Sequence, residues 1–195
     1  MTGRGLGRAT MKGVDHIVIP LGRDHLGAME TLAAGAAGAA GMGYTPGASG
    51  GHVTLLAYEG LGRDDARRAI EAVVSTTVPF SLHAHGYGFF TGDDPPDLSL
   101  HVQVVRTAVV DTFHARLWVA ITRAGADVAK WCAPDLWSPH ITLLDRALDP
   151  HRLGAAAGWL ARRHHPSWTI AVDRVAVTGG WPEHQQAGDV LVLGG

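Results

Sequence analysis

The sequence predicts an α+β fold, and three observations carry the prediction. Short β-branched runs alternate with segments of helical spacing, in the order β-α-β-α-β-β-α-β-α-β-β. Two of the strands, one in each half of the chain, open with the same His-apolar-Thr-apolar pattern, so the halves look alike. The third is composition: 46% hydrophobic and 17% charged residues over a length of 195 leave ample apolar surface for a packed core and argue against disorder.

Taken in order, residues 14–20 (VDHIVIP) are a β-branched run closed by proline, which signals a strand. Residues 23–42 have helical composition, weakened by Gly35, Gly38 and Gly41, each costing roughly 1 kcal/mol against alanine inside a helix. A Gly/Ser loop over 47–51 leads to a second strand at 52–58 (HVTLLAY). Asp64 or Asp65 can cap the next helix, whose apolar positions Ala66, Ile70, Val73 and Val74 follow helical spacing. Residues 80–90 and 98–106 read as two strands around an Asp/Pro-rich turn. In the second, Leu98, Leu100, Val102 and Val104 alternate with Ser99, His101 and Gln103, as in a half-buried antiparallel strand. The longest helical pattern covers 109–131, with Phe113, Leu117, Ala120, Ile121 and Ala124 on one face and Gly125 as its weak point. A strand at 140–144 follows. Asp149-Pro150 then sets an N-cap with proline at the first helical position, opening a helix over 150–163. Strands at 168–178 and 189–193 complete the order.

Composition excludes several function classes. Cys132 is the only cysteine, so neither an internal disulfide framework nor a Cys₄ zinc site is available. Twelve histidines keep histidine-based metal binding open. A net charge of −2 argues against a long duplex-DNA footprint, which needs a basic face, and leaves small ligands or the end of an RNA strand. The longest apolar tract, residues 32–42, is Ala/Gly-rich, too short and too weakly hydrophobic to span a bilayer. Residues 1–13 carry positive charge with no apolar stretch behind it, so they read as a flexible tail and not as an export signal. With one unpaired cysteine, the expected address is the cytoplasm.

The chemistry lies in the repeated pattern, His52-Val53-Thr54-Leu55 and His140-Ile141-Thr142-Leu143. On a strand the side-chain period is two, so each His and Thr share one face while the apolar pair enters the core. Side by side, two such strands would set two imidazoles and two hydroxyls around one small pocket. That quartet suits a phosphodiester. One neutral imidazole takes a proton from the attacking oxygen and the other, protonated, gives one to the leaving oxygen. The threonine hydroxyls donate to the non-bridging oxygens, where charge gathers. An unperturbed pKa of ~6.5 lets a histidine pair share one proton near neutrality. A single copy of the tetrapeptide is weak; two copies, in predicted strands of opposite halves, are rare by chance. The plain alternative is a pair of ordinary edge-strand histidines with solvated threonines.

Here the chain resembles the 2H phosphoesterases, which include bacterial 2′-5′ RNA ligase-like proteins and cyclic nucleotide phosphodiesterases. Both signature motifs are present, the second as Ser138-Pro139-His140-Ile141-Thr142-Leu143, and the resemblance covers residues 14–194. It implies a bilobal α+β fold, residues 14–195 forming one domain of two antiparallel sheets with flanking helices around a pseudo-two-fold cleft. It also implies metal-independent cleavage of 2′,3′-cyclic or 2′-5′ phosphodiester bonds, without a cofactor, on a nucleotide or RNA terminus. By position, His52 and His140 inherit the catalytic roles, and Thr54 and Thr142 the phosphate contacts. A binding module that kept the pocket without turnover is the second reading.

Other signals compete. VDHIVIPLGRD at 14–24 resembles the opening of vicinal-oxygen-chelate metalloenzymes, where the histidine, here His16, is a metal ligand, but no clear counterpart follows. His83 and His85 share a strand face, and His164-His165 beside Arg162 and Arg163 suit a helix C-terminus. Tyr87, Phe90 and Trp137 are candidates to stack on a base. Tyr58 and Arg146 share strand parity with the motifs but lie six residues, about 20 Å, beyond each histidine, too far to touch a phosphate there unless the strands bend. Cys132 lacks a nearby predicted base and reads as structural.

Overall fold

The computed structural model describes residues 14–45, 51–91, 98–163, 165–179 and 189–194. The expected tail at 1–13, most of the Gly/Ser loop, the Asp/Pro turn, His164 and the Arg146 side chain lie outside the described residues. Along the chain come β1 (Asp15–Pro20), α1 (Arg23–Ala39), β2 (His52–Glu59), α2 (Arg63–Val74), β3 (Phe80–Thr91) and β4 (Leu98–Val104). Then follow α3 (Ala108–Arg123), β5 (Asp127–Val128), β6 (His140–Leu148), α4 (Pro150–Ala161), β7 (Ser167–Val172), β8 (Arg174–Thr178) and β9 (Val190–Val192). No helix among the described residues is long and apolar enough to cross a membrane.

All the strand pairs are antiparallel, in the order β7-β3-β4-β6-β2-β1-β8-β9, with β5 pairing on β2. The two sheets expected from the sequence are therefore joined: β2 and β6 pair through Val53 and Ile141, and one hydrogen-bonded order runs through both halves. The expected single strand at 168–178 is two strands, β7 and β8, divided at Asp173 and lying on opposite sides of the motif strands. Val172 and Arg174 flank one residue, so the sheet curls until those far strands meet there.

The helices interlock the halves. α1 follows β1 but packs on α4 and on β6; α3 follows β4 but packs on β2. Each motif strand is covered by the helix of the other half. Two of the glycines that weaken the α1 pattern have specific work. Gly35 lies against the Trp159 indole of α4, where a Cβ would come within 2.1 Å of the ring and force the indole to shift. Gly41, at φ +67°, ends α1, with Met42 N–H donating to the Ala37 carbonyl and Gly41 N–H to that of Gly38.

Gly125 does the same for α3 at φ +100° and stops it at Arg123, short of the expected end at 131. The remaining residues instead form β5 on β2 and a single 3₁₀ turn at Lys130–Cys132. Asp149 caps α4 as expected, its carboxylate accepting from the Arg152 N–H at 2.8 Å. Helix α2 departs from expectation: Gly62 is the N-cap, and Asp64 and Asp65 fall in the first turn, where their charge faces the positive end of the helix.

Candidate active site

Val53 and Ile141 are opposite one another, fully buried, at the one ladder pair joining β2 to β6. Period-two alternation sends their neighbours to the other face of the sheet. His52, Thr54, His140 and Thr142 thus flank a single point, all half-buried. In antiparallel pairing, His52 comes opposite Thr142 and Thr54 opposite His140.

Both motif strands then break register in the same way. Val18 pairs with Thr54 and Ile17 with Leu56, which leaves Leu55 as an extra residue. His101 pairs with Thr142 and Leu100 with Leu144, which leaves Leu143 extra. Such a bulge bends the strand just past each His-x-Thr and reverses the parity beyond it. Tyr58 accordingly pairs with Asp15 and leaves the motif face, correcting the parity reading.

The bulge in β2 exposes backbone groups that need partners. The Thr54 carbonyl accepts from Trp137 Nε1 at 3.0 Å and the Leu55 carbonyl from His114 Nε2 at 3.1 Å. Ala57 N–H donates to Cys132 Sγ at 3.2 Å. The Trp137 and His114 rings stack at 3.9 Å and 4°. Arg106 pins this connection, with Nη1 donating to the Trp137 carbonyl, Nη2 to that of Pro134 and Nε to Asp111. Trp137, 2% exposed, therefore has no free face for a base; its candidate stacking role is replaced by a backbone clasp. Burial lowers the His114 pKa to about 4 and pushes the Cys132 thiol up to about 12, so both are neutral near pH 7.

Tyr87 is corrected as well. It pairs with Val102, on the helix-covered face, and lines a cavity of about 330 Å³ with His85, Leu100, Leu160 and His165. Phe90, paired with Ser99, does face the motif side. Its ring meets His140 edge-on at 4.7 Å and stacks on His101 at 4.2 Å. His140 Nδ1 lies 2.8 Å from the Ser138 carbonyl. A carbonyl only accepts, so Nδ1 carries the proton and Nε2 is the basic nitrogen of the neutral ring.

Two more histidines stand beside the quartet. His16 and His101 are buried, and burial, with His52 and His140 respectively adding to it, lowers each pKa to about 4. His16 pairs with Ala57 and Thr178, and among the described residues no group of three or more His, Cys, Asp or Glu is placed to hold a metal ion. His83 and His85 are exposed, His83 lying 3.4 Å from the Thr169 hydroxyl. The sequence reading missed His101, His114 and Arg106 as parts of the site. Alternation in β4 did mark His101 as facing away from the apolar side; nothing local marked the strand it would face.

The family model of the 2'-5' RNA ligase superfamily matches residues 43–179, a span that includes both motif strands. No curated protein sequence matches the chain significantly. Solved structures are similar over nearly its whole length. One described as a phosphoesterase has 15% identity and a TM-score of 0.62, covering 94% of this chain and 99% of its own. Escherichia coli LigT, solved with 3'-AMP, has 15% identity and a TM-score of 0.61, covering 93% and 98%. A protein from Thermus thermophilus has 15% identity and a TM-score of 0.60, covering 92% and 94%. At such identity the likeness is one of fold. The match across both motif strands goes further: the chain belongs to the 2'-5' RNA ligase superfamily.

Proposed function

We propose that the protein is a metal-independent phosphodiesterase acting on 2′,3′-cyclic or 2′-5′-linked nucleotides or on RNA ends. The observation that supports this best is the antiparallel meeting of the two His-x-Thr strands at Val53 and Ile141. It makes the histidines diagonal neighbours, a separation of ~7–8 Å in ordinary sheet geometry and somewhat less between Cβ atoms. A phosphate fits between rings at that spacing, each imidazole reaching an oxygen on opposite sides, as in-line displacement needs.

For a cyclic phosphate, one neutral histidine removes a proton from water as its oxygen bonds to phosphorus. The other, protonated, hands a proton to the ribose oxygen as its bond to phosphorus breaks. Thr54 and Thr142 donate to the non-bridging oxygens, whose charge grows as the fifth bond forms. The Nδ1–H bond from His140 to Ser138 directs Nε2 to the chemistry. No step in this scheme calls for a Lewis acid. Phe90 is the remaining candidate to stack on a base, and LigT has been solved with 3'-AMP and with NADP+, both nucleotides.

A product-resolved screen of 2′,3′-cyclic and 2′-5′-linked nucleotides tests the reading, run with and without EDTA. Turnover that survives chelation is expected. Tight binding without turnover would make the protein an RNA-end binding module, and turnover restored only by added metal would overturn the metal-free scheme.

A further inference from the structure

The neighbours of the two motif strands differ, and the difference isolates His101. Across from Thr54, β1 places Val18; across from Thr142, β4 places His101. One face of the His101 ring stacks on Phe90, with centroids 4.2 Å apart at 23°. Its centroid is 5.1 Å from that of His140, which Phe90 meets edge-on at 4.7 Å. The three rings close a triangle. Below it, Gly88 of β3 pairs with His101, and a Cβ there would lie 2.5 Å from His101 Nε2. The backbone is thus cut back to seat this ring.

His101 is 3% exposed, and its Nδ1 is buried with no hydrogen-bond partner. A leucine would fill the space without that cost, so an imidazole here needs a reason beyond packing. Burial also holds the ring neutral near pH 7, so it brings a flat surface beside His140 without a second charge.

We propose that His101 is a positioning residue. Seated over Gly88 and stacked on Phe90, it holds the His140 ring in the plane where Nδ1 donates to Ser138 and Nε2 points to the substrate phosphate. The phosphate part rests on the phosphodiesterase reading; the ring-holding part does not.

The test uses ¹⁵N spectra of the full-length protein, which report the tautomer of His140 without any substrate, beside kcat and KM on a substrate from the screen. The native protein should show His140 as the Nδ1–H tautomer. His101→Ala, and independently Gly88→Ala, which displaces the ring without removing it, should give a tautomer mixture. In both, kcat should fall roughly tenfold to a hundredfold through misplacement, with KM within about twofold. His101→Phe keeps the stacked plate and should retain the native tautomer and most of kcat. A His140 signal unchanged in both His101→Ala and Gly88→Ala would overturn the proposal, as would a native His140 without the Nδ1–H tautomer. If the native protein turns over no phosphodiester, the functional reading fails, and the spectra still decide the role of His101.

Discussion

Strands β2 and β6 carry the same motif and the same bulge, yet they are supported in different ways. Around β6, the neighbouring strands contribute His101 and Gln103 from β4 and Gly88 and Phe90 from β3. Around β2, they contribute His16, Val18 and Pro20 from β1, with Ala176 and Thr178 of β8 beyond. One side packs a cluster of stacked rings against its histidine, while the other sets the buried His16 imidazole among aliphatic and small residues. The bulge of β2 is also clasped from outside, by Trp137 and His114 of the other half. Strand geometry can duplicate the reacting groups, but each wall is set by its own neighbours. Under the proposed mechanism, two identical walls could not distinguish an attacking oxygen from a leaving one, and unequal walls are what that mechanism requires.

The sharpest way to break this comparison is at the motif histidines. If they share one proton transfer, His52→Ala and His140→Ala should each lower kcat/KM by roughly 10³-fold, with the double variant little worse than the poorer single. Losses that add fully in free energy would instead make the halves two separate phosphate contacts. The four-member cycle of kcat/KM decides between them.

The threonines sharpen it further. Under the proposed mechanism, Thr54→Val and Thr142→Val should each cost about a hundredfold in kcat/KM, each losing a donor that would strengthen in the transition state. Near-native rates in both would remove the phosphate role; a loss in only one would show that the walls divide the work unequally.

A smaller effect tests the clasp. Trp137→Phe keeps an aromatic ring on His114 but takes the Nε1–H from the Thr54 carbonyl. Leaving that buried acceptor unpaired should lower unfolding free energy by about 1–3 kcal/mol, read from the urea midpoint. An unchanged midpoint would show that β2 holds its bulge without the other half.

The last test is the pH dependence of stability, which is spread over both walls. His16, His101 and His114 fall from their ordinary 6.5 to about 4, each chiefly by burial. Between those values the unfolded chain binds protons that the folded chain refuses, so their contribution is full above pH 6.5 and is lost as pH falls toward 4. The urea midpoint should drop across that window, and less steeply in His114→Gln, which keeps a donor for the Leu55 carbonyl. An equal slope in the variant would mean that His114 is not held neutral.

The strand alternation, the Asp149 cap and the paired His-x-Thr pattern were legible because each depends on residues close in sequence. The bulges at Leu55 and Leu143 were not, because a bulge exists only relative to a partner strand. The Tyr58 parity reading failed for that reason, and Tyr87 went to the helix face because β3 slips register between Ala84 and Tyr87. Gly125 was visible as a weak point; that it ends α3 depended on β2 offering a place for β5. Trp137 has the same composition signal whether it stacks on a base or clasps a carbonyl, and only the Thr54 carbonyl it reaches in the folded chain distinguishes them.

The sequence by itself determined the α+β class and the two strands that bear histidine and threonine on one face, because side-chain period and capping are local properties of the backbone. Only the tertiary structure decided that those strands meet at Val53 and Ile141, that the helices exchange halves to cover them, and that His101 and Phe90 stand on one side only. Pairing register, curl and helix crossing arise from contacts between distant segments, whose free energies are shared across the fold and are written at no single position in the chain.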